Sequence, residues 1–461
     1  MIVSAGTYLR DMTEQGVRWT AEQVLALAPD AASRSAGSKL GAAGPWSEAG
    51  SSDEGTVWGL CKGSGSRPYQ TVVDLADTAG PAYQCSCPSR KFPCKHALGL
   101  LLLWAGGDGT VPRGPAPDWA EQWIKRRRHR PREQRQATGP DSPRTADPEA
   151  ARRRAERRAE RITAGAAELE QRLTDLLRGG LATADRDGYG MWEETAARMV
   201  DAQAPGLAAR VRELGAIPSS GPGWPVRLVE ECALLHLLDQ GWLRRERLPD
   251  GLAATVRSRV GLPGSPGGPS VRDRWLVLAQ YDTSDSRLTT RRIWLHGADS
   301  GRTVLLLSYG AAGRAPEPAL PVGLALEAEV SVYPGAGHLR AALGEQFAPA
   351  APAGIRPPGM TTPQALARYG RALRDDPWLD SFPVTLGRVV PTPVGDSWQL
   401  ADAEGGTAVP LTPSAGARPG LWRLVALSGG APVTVFGECG HRGFNPLTAW
   451  PEGAGEAVPL C

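Results

Sequence analysis

Three cysteines and a histidine crowd into twelve positions: Cys85-Ser-Cys87, six residues, then Cys94-Lys-His96, a C-x-C-x6-C-x-H pattern. No other stretch of the chain constrains its folding as tightly. Three thiolates and one imidazole are a common tetrahedral set for structural zinc. In extended backbone, residues two apart face the same side, so each C-x-C or C-x-H pair can grip one ion without a helical turn. Pro88 and Pro93 bracket the intervening loop and limit the entropy lost in closing it. An apolar helical segment, Ala97–Trp104, begins just after His96, and a helix N-terminus there favours thiolate over thiol. Zinc held in this way contributes on the order of 10 kcal/mol to folding, enough for a core too small to hold itself together.

Other readings of the cluster fit less well. Seven cysteines are too few, and odd in number, for a disulfide scaffold, and Cys61, Cys232, Cys439 and Cys461 are scattered. Thioredoxin-like redox chemistry wants C-x-x-C, which is missing here. A catalytic zinc keeps an open position near a general base, whereas four close ligands make a closed site. One structural Zn2+ is therefore expected. Cys61 reads as a strand-end core cysteine, Cys439-Gly-His441 as a coincidental half-pattern, and His236 as a packed helix histidine.

The surroundings of the cluster read as one module. Thr20-Ala-Glu-Gln23 is a capping-box start for a short helix ending before Pro29. Strands follow at 56–60 and 69–75, joined by the glycine-bearing hairpin Lys62–Pro68. The string CSCPSRKFPCKHALGLLLL closely resembles a SWIM zinc finger, and so does the hairpin Trp58–Tyr69 before it; the likeness is specific over about 55–105. The resemblance implies a ββα unit with Cys85, Cys87, Cys94 and His96 as the four metal ligands. It also implies binding to DNA or to protein, since the family includes chromatin-remodelling ATPases and Mutator-type transposases. No nucleotide-binding or transposase motif accompanies the finger here, so the resemblance speaks for the module and not for a reaction. More loosely, the whole chain is similar to actinobacterial SWIM finger proteins of comparable size.

Beyond the module the composition shifts. The tract 111–148 is rich in Pro and Arg and reads as a basic linker, with a short helix at Trp119–Trp123. The stretch 149–265 is helical, with segments near 149–177, 191–202, 207–214 and 225–238. After Pro263 the period becomes two. A β-rich region over 266–345, a connector over 346–382 and a second β-rich region over 383–461 follow. The second region is expected to end in strands at 421–427 and 432–437 with Ser428-Gly-Gly430 as their turn. No internal repeat has a convincing period, although the two β-rich stretches could be related. The fold class is multidomain α+β: a ββα zinc module over 1–110, a central helical domain and a β-rich C-terminal half.

The net charge of +3 hides an uneven distribution. Lys125 to Arg161 hold 14 Lys and Arg against six Asp and Glu, a local +8 that leaves −5 for the rest. Such blocks form solvated or polyanion-seeking arms. Arg90, Lys91 and Lys95 in the finger, with Arg126, Arg127 and Arg128 in the arm, are the candidate phosphate contacts. The alternative is a solvated loop followed by an ordinary basic linker. The longest apolar stretch spans nine residues against the ~20 of a membrane span, and the N-terminus lacks a signal-like pattern, so a cytoplasmic protein is expected. The sequence thus points to a non-enzymatic, nucleic-acid-binding adaptor acting on DNA or RNA. The competing readings are a protein–protein scaffold with a purely structural finger, and an enzyme whose site lies unrecognised in the C-terminal half.

Overall fold

The computed structural model describes residues 18–461 except 64–66, 77–79, 90, 108, 129–147, 182–187, 263, 285–287, 312–315, 338 and 454. Two short helices, α1 (Ala21–Leu25) and α2 (Ala31–Ser38), lead into an antiparallel meander of β1 (Trp46–Ser51), β2 (Thr56–Cys61), β3 (Tyr69–Asp74) and β4 (Ala82–Cys85). The capping box forms as expected. Gln23 N donates to Thr20 Oγ1 at 3.2 Å, and Thr20 N donates to Gln23 Oε1 at 2.9 Å. Alternation along β2 and β3 sends Val57 and Val73 to one face, and Trp58 and Val72 to the other. The first face packs on α3 (Lys95–Ala105), the second on α4 (Asp118–Arg128) through Trp119, Ala120 and Trp123. Helix α4 is longer than its sequence signal, so Arg126 to Arg128 stand on its last turn and not in a linker.

Five helices follow: α5 (Pro148–Gly179), α6 (Gly188–Asp201), α7 (Pro205–Ala216), α8 (Trp224–Leu243) and α9 (Asp250–Val260). They enclose a separate core that includes Ile162, Leu169, Met199, Leu207, Leu235 and Trp242. Inside it Asp239 is fully buried, and neither carboxylate oxygen has a hydrogen-bond partner. Burial, with Glu170 nearby, pushes its pKa up to about 9.

The β-rich half forms two closed circuits of strands. The first contains β5 (Val271–Ser284), β6 (Leu288–Gly297), β7 (Thr303–Ala311), β8 (Leu324–Val332) and β9 (Arg340–Gln346), with β10 (Ala351–Pro352) on its edge. The first half of β5 pairs with β8 and its second half with β6. β6 continues to β7, β7 runs parallel to β9, and β9 returns to β8, which closes a barrel.

After α10 (Thr362–Asp375) come β11 (Ser381–Val394), β12 (Ser397–Asp402), β13 (Ala408–Pro410), α11 (Pro413–Gly416), α12 (Pro419–Ser428), β14 (Val433–Gly440), β15 (Gly443–Pro451) and the short β16 (Val458–Pro459). Here again a first strand of 14 residues is shared between the fourth strand and the second. A parallel bridge between Leu411 and Phe444 joins the end of the third strand to the fifth. Both barrels therefore follow the order 1-2-3-5-4-1, the connectivity of an OB-type Greek-key barrel. Strand pairing shows a shared connectivity that side-chain periodicity leaves invisible.

One expectation is overturned in this region. Residues 421–427 are not a strand, and Ser428-Gly-Gly430 is not a hairpin turn. The segment is helix α12, opened by Pro419 in its first turn and closed by Gly429 at φ +51°. Its apolar run satisfies either period, but Leu421, Leu424 and Ser428 are the residues buried, which is a helical spacing.

Among the described residues, the first barrel has no helix between its third and fourth strands. The N-terminal module packs there instead, and one continuous set of buried side chains runs from Val24, Leu98 and Leu101 to Leu320, Trp275, Ile293 and Leu326. Gln23 Nε2 donates to Val322 O at 3.1 Å across this junction. The two barrels meet through Leu276, Leu278 and Trp294 on one side and Phe436, Leu447 and Trp450 on the other. Tyr281 and Trp294 both donate to Glu438 Oε1, at 2.8 and 3.0 Å. No helix among the described residues is long and apolar enough to cross a membrane.

Candidate metal centre

The meander delivers the first ligand at the end of β4 and the loop returns the others to its mouth. Cys85 is the last residue of β4, Cys94 is the N-cap of α3, and His96 lies in that helix's first turn. The ligand atoms of Cys85, Cys87, Cys94 and His96 all lie within 4.8 Å of one another. A tetrahedron with bonds of about 2.0–2.3 Å has edges of about 3.3–3.8 Å. Cys85 Sγ lies 3.7 Å from His96 Nδ1, which suits that geometry. The Cys94–His96 pair is not extended, as a C-x-H rule of alternation implies. Cys94 is extended at the cap and His96 is already helical, so the first turn of α3 swings the imidazole towards the thiols.

Supporting residues surround the ligands. Thr71, opposite Cys85 in the ladder, places Oγ1 3.3 Å from its sulfur. Tyr69, on the same face of β3, lays its ring 4.9 Å from the His96 imidazole and limits its rotation. Cys94 and His96 are buried, whereas Cys85 and Cys87 are half-buried. A hydrogen bond from the Cys94 thiol, aided by His96 and Thr71, draws Cys85 down to about 3 against the effect of burial. The same contact pushes Cys94 up, and burial raises Cys87. The cluster thus favours one thiolate by itself, and a soft-ligand divalent cation displaces the remaining thiol protons.

Residues 69–105 match the SWIM zinc finger family. The chain carries a SWIM zinc finger. Residues 157–260 match a second description, the SWIM-associated four-helix bundle domain, which covers the segment folded as α5 to α9. No curated protein and no solved structure matches the chain. The ion of this SWIM finger is a structural Zn2+ held by Cys85, Cys87, Cys94 and His96.

The other candidates scatter. Cys61 is buried at the end of β2, outside the cluster, and Cys439 lies in the core of the second barrel, away from the finger. His236 is not packed: its side chain is 57 % exposed, with Nδ1 2.8 Å from Glu170, because it stands on an outer face of α8. Arg90 lies outside the described residues. Lys91 is tied to Asp30 at 2.6 Å and helps to hold that carboxyl down at about 2. Lys95 is exposed, with no hydrogen-bond or ionic partner among the described residues. Arg126 donates to Gln122, and Arg127 lies 5.9 Å from the Trp123 ring. Arg128 ends α4. Lys95 and the arginines therefore stand on helices that flank opposite faces of one sheet. Sequence reasoning missed Tyr69 and Thr71 as supports of the metal site. Their shared strand face, two residues apart, was the available signal.

Proposed function

We propose that this protein is a non-enzymatic adaptor that binds nucleic acid through the finger and the basic run opened by α4. One observation carries the reading. Arg126 to Arg128 lie on the last turn of a helix packed on the finger's own sheet, which supports an arm that starts from the finger module itself. The closed set of four protein ligands leaves the zinc no position for a substrate. Barrels of the observed connectivity bind oligonucleotides or oligosaccharides on the face of their second and third strands. Trp398, on the second strand of the second barrel, lies edge-on to Trp422 at 5.9 Å, and Trp422 is 63 % exposed. Exposed rings of this kind stack on unpaired bases, which favours single strands.

The test is fluorescence anisotropy with labelled single- and double-stranded DNA over a salt series. Binding should weaken steeply with salt, and changing Arg126, Arg127 and Arg128 to Gln should lower the slope by about 2. Trp422→Ala should weaken single-strand binding at every salt concentration. Absence of binding at low salt overturns the reading. A scaffold with a purely structural finger is the second reading, favoured by exposed apolar side chains on α8.

A further inference from the structure

Helix α8 is apolar on more sides than its neighbours cover. Leu228, Cys232, Leu235 and Trp242 fill the bundle core, and the Leu234 carbonyl accepts from Trp378 Nε1 at 2.8 Å. A further side faces solvent. Val226, Val229 and Leu237 are 64, 43 and 44 % exposed, and the small, exposed Ala233 stands between the last two. The spacing of three, four and four makes these residues a single stripe. A helix apolar on every side is normally buried on every side. The contacts of Glu170 with His236 and Gln240, and of Thr163 with Trp242, set α5 antiparallel to α8. That register brings Leu177, 48 % exposed, level with the first half of the stripe.

The pattern is self-complementary. A two-fold axis through Ala233 sets Val229 against Leu237 of an antiparallel second copy. The same axis sets Glu230 against His236. Glu230 has no hydrogen-bond or ionic partner among the described residues. His236 holds Nδ1 towards Glu170; only as an imidazolium, donating from both nitrogens, does its ring also reach the second copy's Glu230 through Nε2. With only a methyl group at the crossing, helix axes can approach to about 8 Å. Two-fold interfaces need this property: the same patch must satisfy itself.

We propose that α8 is the seam of an isologous homodimer, its axis passing through Ala233. The stripe spans three turns, so the interface lies at the small end of specific contacts and the dimer dissociates on dilution.

Light scattering coupled to size exclusion, over a wide range of loading concentration, gives the first readout. The chain should move from monomer to dimer, and Ala233→Glu should remain monomeric while its bundle melts as in the wild type. Glu230→Arg, which replaces the carboxylate facing His236 with a donor-only guanidinium, should weaken association by about tenfold. Under mild oxidation Ala233→Cys should give a covalent dimer beyond the wild-type background, because position 233 meets itself. Val226→Cys, displaced from the axis, should not. A chain monomeric throughout, a dimer that survives Ala233→Glu, or equal cross-linking at 226 and 233 overturns the proposal.

Discussion

Asp239 sits where an ionised carboxylate has no support: its oxygens are unpartnered, and Glu170 lies nearby, fixed by His236 and Gln240. An aspartate in an unfolded chain titrates near 3.9, whereas here it titrates at about 9. Between those values the folded state keeps a proton that the unfolded state releases. Its contribution to stability is therefore complete below about pH 4 and declines as pH rises towards about 9. Asp239→Asn removes this dependence. Calorimetry should show a higher melting temperature for the variant at pH 8 and little difference at pH 4.5. A variant less stable at pH 8 would mean that the carboxylate has found a partner. At this scale the ligands were legible, since all four lie within twelve positions and need only local chain closure. The exposed setting of His236 was not, because the leucines around it serve two faces of one helix and conceal a third.

At the scale of elements, helix α3 depends on close approach. A Cβ on Gly99 would fall 2.5 Å from Leu40 Cβ and 3.1 Å from that residue's carbonyl carbon and oxygen. Gly99→Ala should force α3 from the segment after α2, costing about 1–3 kcal/mol in thermal denaturation. Zinc content at saturating metal should be unchanged. If Gly99→Ala is neutral, the two segments have slack that this packing does not show. Most helices and strands were readable from period and caps. Helix α12 was not, because seven mostly apolar residues fit both periods, and the deciding marks are Pro419 before them and Gly429 after. Helix α9 was missed for the opposite reason: only Thr255, Val256 and Val260 are buried, too few to print a stripe. The short strands β1 and β4 depend on pairing with neighbours more than on their own composition.

Across the whole molecule, closure of the barrels was beyond local reading, because it rests on pairings such as Val271 with Val330 and Leu411 with Phe444. Sequence alone suggests that losing a zinc ligand unfolds 55–105 without melting the helical domain. The shared core makes the consequence larger. Cys94→Ser, or chelation of the metal, should cost both the finger and the first barrel their protection in hydrogen exchange. Amides of 157–260, which have a core of their own, should keep theirs. Protection retained across 271–346 in metal-free protein would show that the first barrel stands without its neighbour.

The helical bundle is thus inserted between two parts of one hydrophobic core, and the insertion has a consequence in time. Ala105 ends α3, and the first strand of the barrel that covers it starts at Val271, 166 residues later. At about 5–20 residues per second, a ribosome needs roughly 10–30 s to cross that interval. Through it the emerging finger has its meander, its short helices and its metal, but not the surface it is shaped to meet. Zinc supplied during synthesis guards that waiting surface; zinc supplied afterwards arrives at a chain already exposed to aggregation.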